Sequence, residues 1–245
     1  MSTLALIPAA GRGSRLGIDV PKVFAPLSEH KTIWTVLRDR LLPLCGRIHL
    51  VLSPDGLEYA GATLGFEPGI TLGVQAVPLG MGDAIMGSAP FWGNASQLLI
   101  VWGDQVHVSA RTLERTLAEH KGGLTFPVVR QADPYVQYLF QDSKLTRVLQ
   151  TREGDRTQPG GLSDVGTFLL STDGLLEAWQ TYLEASIPGA ATAEINFLPF
   201  LPFLSARGWN VTTVEIADAD EARGVNTPED LAFWQARQGG AHPGA

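Results

Sequence analysis

Thr3-Leu4-Ala5-Leu6-Ile7-Pro8-Ala9-Ala10-Gly11-Arg12-Gly13-Ser14-Arg15-Leu16-Gly17 runs from an uncharged, mostly apolar segment straight into a glycine-rich turn with two arginines, and Pro21-Lys22 follow. Apolar residues fill nearly every position of 3–8 instead of alternating, which is the pattern of a strand buried on both faces. The glycines after it let the backbone turn tightly and bring successive amide donors near an anion. Arg12, Arg15 and Lys22 concentrate positive charge there, so a phosphate chain is the expected ligand. The turn is not a Walker loop, because no Gly-Lys-Ser/Thr follows at the required spacing. It departs from the dinucleotide fingerprint as well, since Leu16 stands where the third glycine belongs and Gly17 comes one step late.

Working outward, residues 47–52, 70–76 and 98–102 are further short apolar runs that read as buried strands. Between them, residues 32–44 place Ile33, Val36, Leu37 and Leu41 on one helical face, and 81–91 and 109–121 have similar periodicity, with Ser109 as N-cap. This βαβαβ order predicts a Rossmann-like, doubly wound and mostly parallel mixed sheet. Residues 124–130, 136–141, 145–150 and 165–171 are strand-like but joined by polar turns, which predicts a small antiparallel extension. Helices over 172–184 and 193–207, a strand over 211–216 and a last helix opened by Thr227-Pro228-Glu229 complete the chain. We expect one domain over 1–238, with 239–245 as a frayed tail.

Composition narrows the function classes. Eighteen Lys plus Arg against 25 Asp plus Glu give a net charge of −7, which leaves no diffuse positive field for nucleic acid or an anionic membrane. No window approaches the ~18–20 apolar residues of a membrane span, and the order of apolar run and arginines at the N-terminus is wrong for a signal peptide. A single cysteine, Cys45, fits a reducing, cytoplasmic setting. Scattered histidines give no zinc-type ligand set, and Gly-x-Ser-x-Gly is absent.

Three later segments carry chemistry. In Gln75-Ala76-Val77-Pro78-Leu79-Gly80-Met81-Gly82-Asp83, the glycines permit close backbone approach and the Gln75 amide offers donor and acceptor together. Gly103-Asp104 closes the 98–102 strand, where open α/β sheets place ligand chemistry. Asp104 there suits Mg²⁺, which takes oxygen ligands shared with substrate phosphates; alone, it reads more readily as a helix or turn cap. Gly224-Val225-Asn226-Thr227-Pro228-Glu229-Asp230-Leu231 precedes the last helix.

Taken in order, Gly11-x-Gly13-x-Arg15 with Pro21-Lys22, the Gln75 to Gly82 loop, Gly103-Asp104 and Val225-Asn226 resemble the signature of the sugar-1-phosphate nucleotidylyltransferases. The motifs are closest to those of the uridylyltransferase domain of N-acetylglucosamine-1-phosphate uridylyltransferase, without its β-helix acyltransferase part. The resemblance implies a nucleotide-diphospho-sugar transferase fold and Mg²⁺ held by Asp104 and Asn226. It implies a nucleotide site of Ala10, Gly11, Gly13, Ser14, Arg15, Gln75, Gly80, Met81 and Gly103, and catalysis by Arg15, Lys22 and Asp104. On the acceptor side it implies Tyr135, Glu153, Asp164 and Glu194, with Asn196 nearby. Two departures stand out: Met81 replaces a small hydroxyl residue, and Asp164-Val165-Gly166 stands where relatives have Asn-Thr-Gly.

The expected activity is transfer of a nucleotidyl group, from UTP as first choice, to a sugar 1-phosphate with release of pyrophosphate. The expected partners are thus a nucleoside triphosphate and a phosphorylated small molecule, and a homo-oligomer stays open. A CTP-dependent enzyme acting on a polyol or other non-sugar phosphate, and a non-catalytic nucleotide sensor on the same fold, are the alternatives.

Overall fold

The computed structural model describes residues 2–11, 13–92, 94–186, 189 and 194–239. Arg12, the first residue of the expected 193–207 helix and all but the first residue of the expected tail lie outside them. Ten strands and eight helices are described: β1 (Thr3–Pro8), α1 (Ile33–Cys45), β2 (Ile48–Leu52), α2 (Pro54–Thr63), β3 (Ile70–Val74), α3 (Met81–Met86), α4 (Ala89–Trp92), β4 (Gln97–Val101), α5 (Ala110–Ala118), β5 (Leu124–Gln131), β6 (Val136–Gln141), β7 (Lys144–Gln150), β8 (Gly161–Asp164), β9 (Thr167–Ser171), α6 (Leu175–Ala185), α7 (Phe200–Ala206), β10 (Val211–Glu215) and α8 (Pro228–Gly239).

The main sheet runs β10-β5-β9-β4-β1-β2-β3, with β8 on β5, and β6-β7 form a separate hairpin. β3, β2, β1 and β4 are mutually parallel. β9 enters antiparallel between β4 and β5, and β10 closes the other edge parallel to β5. The sheet is thus mixed, as the βαβαβ order and the polar turns of the middle segment predict, and the antiparallel part reaches its centre as well as the outlying hairpin. Side chains alternate between two cores. Ala5, Ile7, Leu50, Leu99 and Val101 pack under α1, α2, α5 and α8, while Leu4, Leu6, Val51, Leu98 and Phe168 pack under α3, α4, α6, α7 and the hairpin.

Local chemistry explains most boundaries. Thr32 caps α1 reciprocally with Thr35, each hydroxyl accepting from the other's backbone N–H at 3.1 and 2.9 Å. The 81–91 periodicity divides at Gly87-Ser88 into α3 and α4. The helix expected over 193–207 is helical only over Phe200–Ala206. Glu194 and Ile195 instead lie against the Gln75 to Gly82 loop, with Ile195 N donating to Leu79 O at 3.4 Å. Helix α2 and strand β8 are additions to the elements expected from sequence. No described helix is long and apolar enough to cross a membrane.

Candidate nucleotide-binding site

Four segments far apart in sequence meet at the C-terminal ends of the parallel strands. After β1, Gly13 and Gly17 adopt φ of 61° and 65° on either side of a single 3-10 turn, Ser14–Leu16. Only glycine takes this left-handed backbone without strain. Leu16 is buried and pins the turn, while Arg15 points its exposed side chain outward. A Cβ on Gly103 would come 2.9 Å from the Ala9 Cβ, so the loop after β4 lies directly on the one after β1. A Cβ on Gly13 would come 2.6 Å from the Lys22 Cβ, which places the Lys22 stem along the glycine turn.

Lys22 Nζ donates to Asp104 Oδ2 and to Asn226 Oδ1, both at 2.7 Å. Lys22, Asp104 and Asn226 therefore converge on one point, while Arg15, also expected to serve catalysis, keeps its side chain exposed. The Lys22 and Asp104 side chains retain 17% and 20% of their exposure, so the pair is reachable from solvent yet little screened. Asp104 is held from behind: its carbonyl accepts from Val106 N and Val225 N at 3.0 Å, and Gly224 packs against its carboxylate.

Asn226 is set by a residue the sequence reading passed over. Asp230 Oδ2 accepts from the backbone N–H of Asn226 and of Thr227, both at 2.9 Å, while Oδ1 accepts from Arg223 Nε at 2.8 Å. Burial alone would raise the Asp230 pKa, but these hydrogen bonds and the Arg223 charge outweigh it and hold the carboxyl below its ordinary value. The signal was present as Thr227-x-x-Asp230, an acidic capping pair at the start of α8.

In the 75–83 loop, Gln75 Nε2 donates to Gly80 O at 2.9 Å and to Asp83 Oδ2 at 2.8 Å. Both amide hydrogens are thereby spent on shaping the loop, and only the amide oxygen remains for a ligand. Gly80 sits at φ 112°, and a Cβ there would meet Ile195 O at 2.9 Å and Glu194 Cβ at 3.1 Å. Glu194 thus borders the nucleotide loop, and Met81 opens α3 with 36% of its surface exposed.

The remaining residues expected on the acceptor side form a second group around the hairpin. Asn196 Nδ2 donates to Glu153 Oε1 at 3.1 Å, and Thr151 N donates to Tyr135 O at 3.1 Å, with the Tyr135 side chain well exposed. Asp164 is different: it is buried, its Oδ2 accepts from Tyr138 Oη at 2.9 Å and its Oδ1 from Gly166 N at 2.6 Å. Burial is the main influence and raises its pKa, against the opposing hydrogen bonds from Gly166 and Tyr138. Burial, with the Asp164 charge, also lifts the Tyr138 hydroxyl well above its usual range. Because Trp102 N donates to Gly166 O at 2.8 Å, the Asp164 turn is bound to the strand end that carries Asp104. Asp164 therefore stands behind the Asp104 strand end, with both carboxylate oxygens already engaged.

The strand order and the loops gathered at these strand ends define a nucleotide-diphospho-sugar transferase fold. The same fold is found in a Bacillus anthracis protein named as a glucose-1-phosphate thymidylyltransferase and solved with sucrose, at TM-score 0.74 and 18% identity over 100% of this chain and 98% of that one. It recurs in the inositol-1-phosphate CTP transferase of T. maritima, at TM-score 0.71 and 19% identity over 98% of each chain. Residues 5–165 match the MobA-like NTP transferase domain, and the chain belongs to that family. The matched span includes the glycine turn, Lys22, the 75–83 loop and Asp104 but ends before Asn226.

Proposed function

We propose that this protein transfers a nucleotidyl group from a nucleoside triphosphate to the phosphate of a sugar 1-phosphate, forming a nucleotide-diphosphate sugar and pyrophosphate. The observation that carries this reading is the meeting of Lys22, Asp104 and Asn226 at one point beside the glycine turn. An acceptor phosphate oxygen attacks the α-phosphorus in line with departing pyrophosphate, and no protein nucleophile is needed when positioning and charge neutralisation lower the barrier. Backbone amides of the turn at Ala10, Gly11, Gly13 and Ser14 hold the phosphates, while Arg15 and Lys22 meet charge that grows on the α-phosphate and the leaving group.

Asp104 Oδ2 and Asn226 Oδ1 suit Mg²⁺: two hard oxygen donors lie at 2.7 Å from a common point that a cationic group already occupies. Two protein oxygens completed by phosphate oxygens are the usual way such an ion is bound in phosphate chemistry. When bound, Mg²⁺ supplies charge neutralisation of the phosphates. Tyr135, Glu153 and Glu194 border the acceptor, with Asp164 supporting the strand end. Met81 and Gln75 with Gly80 form the base side, and Gly103 leaves room beside the phosphates. The single cysteine favours a cytoplasmic setting.

UTP is the first candidate donor. CTP with a polyol phosphate is the second, supported by the fold shared with the inositol-1-phosphate CTP transferase. Incubation of the pure protein with Mg²⁺, each triphosphate, and a panel of sugar 1-phosphates and polyol phosphates including inositol 1-phosphate tests the reading by pyrophosphate release. Turnover with at least one pair is the expected result. Tight nucleotide binding with no turnover across the panel would identify a sensor and overturn it.

A further inference from the structure

We propose that Lys22 is an internal stand-in for the divalent cation, so that the cation enters this site only together with the triphosphate. The inference rests on the assignment of Asp104 and Asn226 as the cation's ligands. In the structure the Lys22 ammonium spends two of its three N–H donors on these same two oxygens, each at 2.7 Å. A dication reaching for them must expel an ammonium that makes two short, charge-assisted hydrogen bonds. With nothing else to receive it, that ammonium would be left beside a second cation.

A triphosphate removes the obstacle by giving Lys22 another partner. The Lys22 stem already lies against Gly13, close enough that a Cβ on Gly13 would come within 2.6 Å of the Lys22 Cβ. The ammonium therefore reaches phosphate oxygens at the glycine turn by rotation about its own side-chain bonds. Asp104 stays in place, because Val225 N donates to its carbonyl and Gly224 packs against its carboxylate. One movement thus frees two cation ligands and delivers a positive charge to the phosphates. The binding of metal and triphosphate becomes mutually supporting, as linkage requires.

The test measures binding of Mn²⁺ alone to the full chain and to Lys22→Met, by electron paramagnetic resonance without nucleotide. Lys22→Gln serves as a second variant, and circular dichroism checks the fold of each. Removing the ammonium is expected to tighten Mn²⁺ binding about tenfold or more, the worth of a charge-assisted hydrogen bond that need no longer be broken. Inorganic tripolyphosphate is expected to strengthen Mn²⁺ binding to the unsubstituted chain by a larger factor than to either variant. Equal Mn²⁺ affinity in all three, or no Mn²⁺ binding by the variants, overturns the stand-in role. Adding Asp104→Asn to Lys22→Met separates the two claims: persistence of tight Mn²⁺ binding in the double variant overturns the ligand assignment itself.

Discussion

Gly224→Ala is a small change whose effect falls almost entirely on Asp104. A Cβ at position 224 would lie 2.9 Å from Asp104 Cγ and 3.0 and 3.1 Å from its two oxygens, about half an ångström short of ordinary contact. The backbone cannot retreat freely, because Val225 is fully buried and its N–H donates to Asp104 O at 3.0 Å. The carboxylate must therefore give way, and its Oδ2 leaves the point it shares with Asn226 Oδ1. Since a misplacement of ~1 Å at a reacting centre costs on the order of 10²-fold, half of that predicts a loss of about tenfold in turnover. Gly224 is not at positive φ, so alanine introduces no backbone strain there, and the ~0.4–1 kcal/mol gained from a stiffer unfolded chain is offset by the weakened bond between Lys22 and Asp104. The expected signature is lower kcat in a pyrophosphate-release assay at saturating Mg²⁺, with the fold retained and no gain in Tm. Full turnover in Gly224→Ala would refute the reasoning, because it would mean that the position of the Asp104 carboxylate does not matter to the chemistry.

Asp104→Asn is expected to lower turnover on the order of 10²-fold with the fold intact, and unchanged activity at saturating Mg²⁺ would remove Asp104 from the site. Gln75 has committed both amide hydrogens and Met81 offers only a flexible apolar contact, so more than one triphosphate should be used within about 10² in kcat/KM. A preference of about 10⁴ for one base would contradict that. His49 is buried, its Nδ1 within 2.8 Å of Thr71 Oγ1, and burial holds its pKa down to about 4. The fold accepts the neutral ring, so this contribution is complete above the unfolded value of about 6.5 and is lost as pH falls through that value toward 4. Tm should therefore fall between pH 7 and 4.5, and His49→Asn, which preserves a donor toward Thr71, should flatten the slope. His107, also held near 4, will keep part of it; an unchanged slope would exclude His49.

The parts of the molecule that could be read from sequence are those with local signals. The uninterrupted apolar run at 3–8, the glycines after it and the Thr227-Pro228 start of α8 each carry their own stereochemical reason. Helix α2 was not legible from periodicity, because its buried positions are Gly56 and Ala60, too small to form an apolar stripe. Its only sequence mark is the start, where Ser53 caps Gly56 N at 3.1 Å ahead of Pro54 and Asp55. Strand β8 is short and half polar, so hydrogen bonding to β5 defines it and hydrophobicity does not. In the candidate site, the sequence pointed to Lys22, Asp104 and Asn226 individually but not to their arrangement. The bonds from Lys22 span 82 and 204 residues, a separation on which no local pattern bears. The burial of Asp164 ran against expectation, since carboxylates are rarely enclosed, and depends on Tyr138 arriving from the hairpin.

The way the chain leaves and rejoins the sheet around the hairpin bears on how such a protein diversifies. Gly161 pairs with Gln131 where β8 meets the end of β5, and Gly160 N donates to Gln131 O at 2.8 Å, so the excursion over 132–160 is clasped at its base. Lys22, Asp104 and Asn226 all lie outside that excursion, while Tyr135 and Glu153 lie within it. Insertions, deletions or replacement of 132–160 can therefore be tried by mutation without altering Lys22, Asp104 or Asn226, provided that a partner for Asp164 and the apolar cover given by Tyr138, Leu145 and Val148 are kept. On the proposed function, the part of the chain that would choose the acceptor is thus separated along the sequence from the part that would carry out the transfer, and one can change while the other is retained.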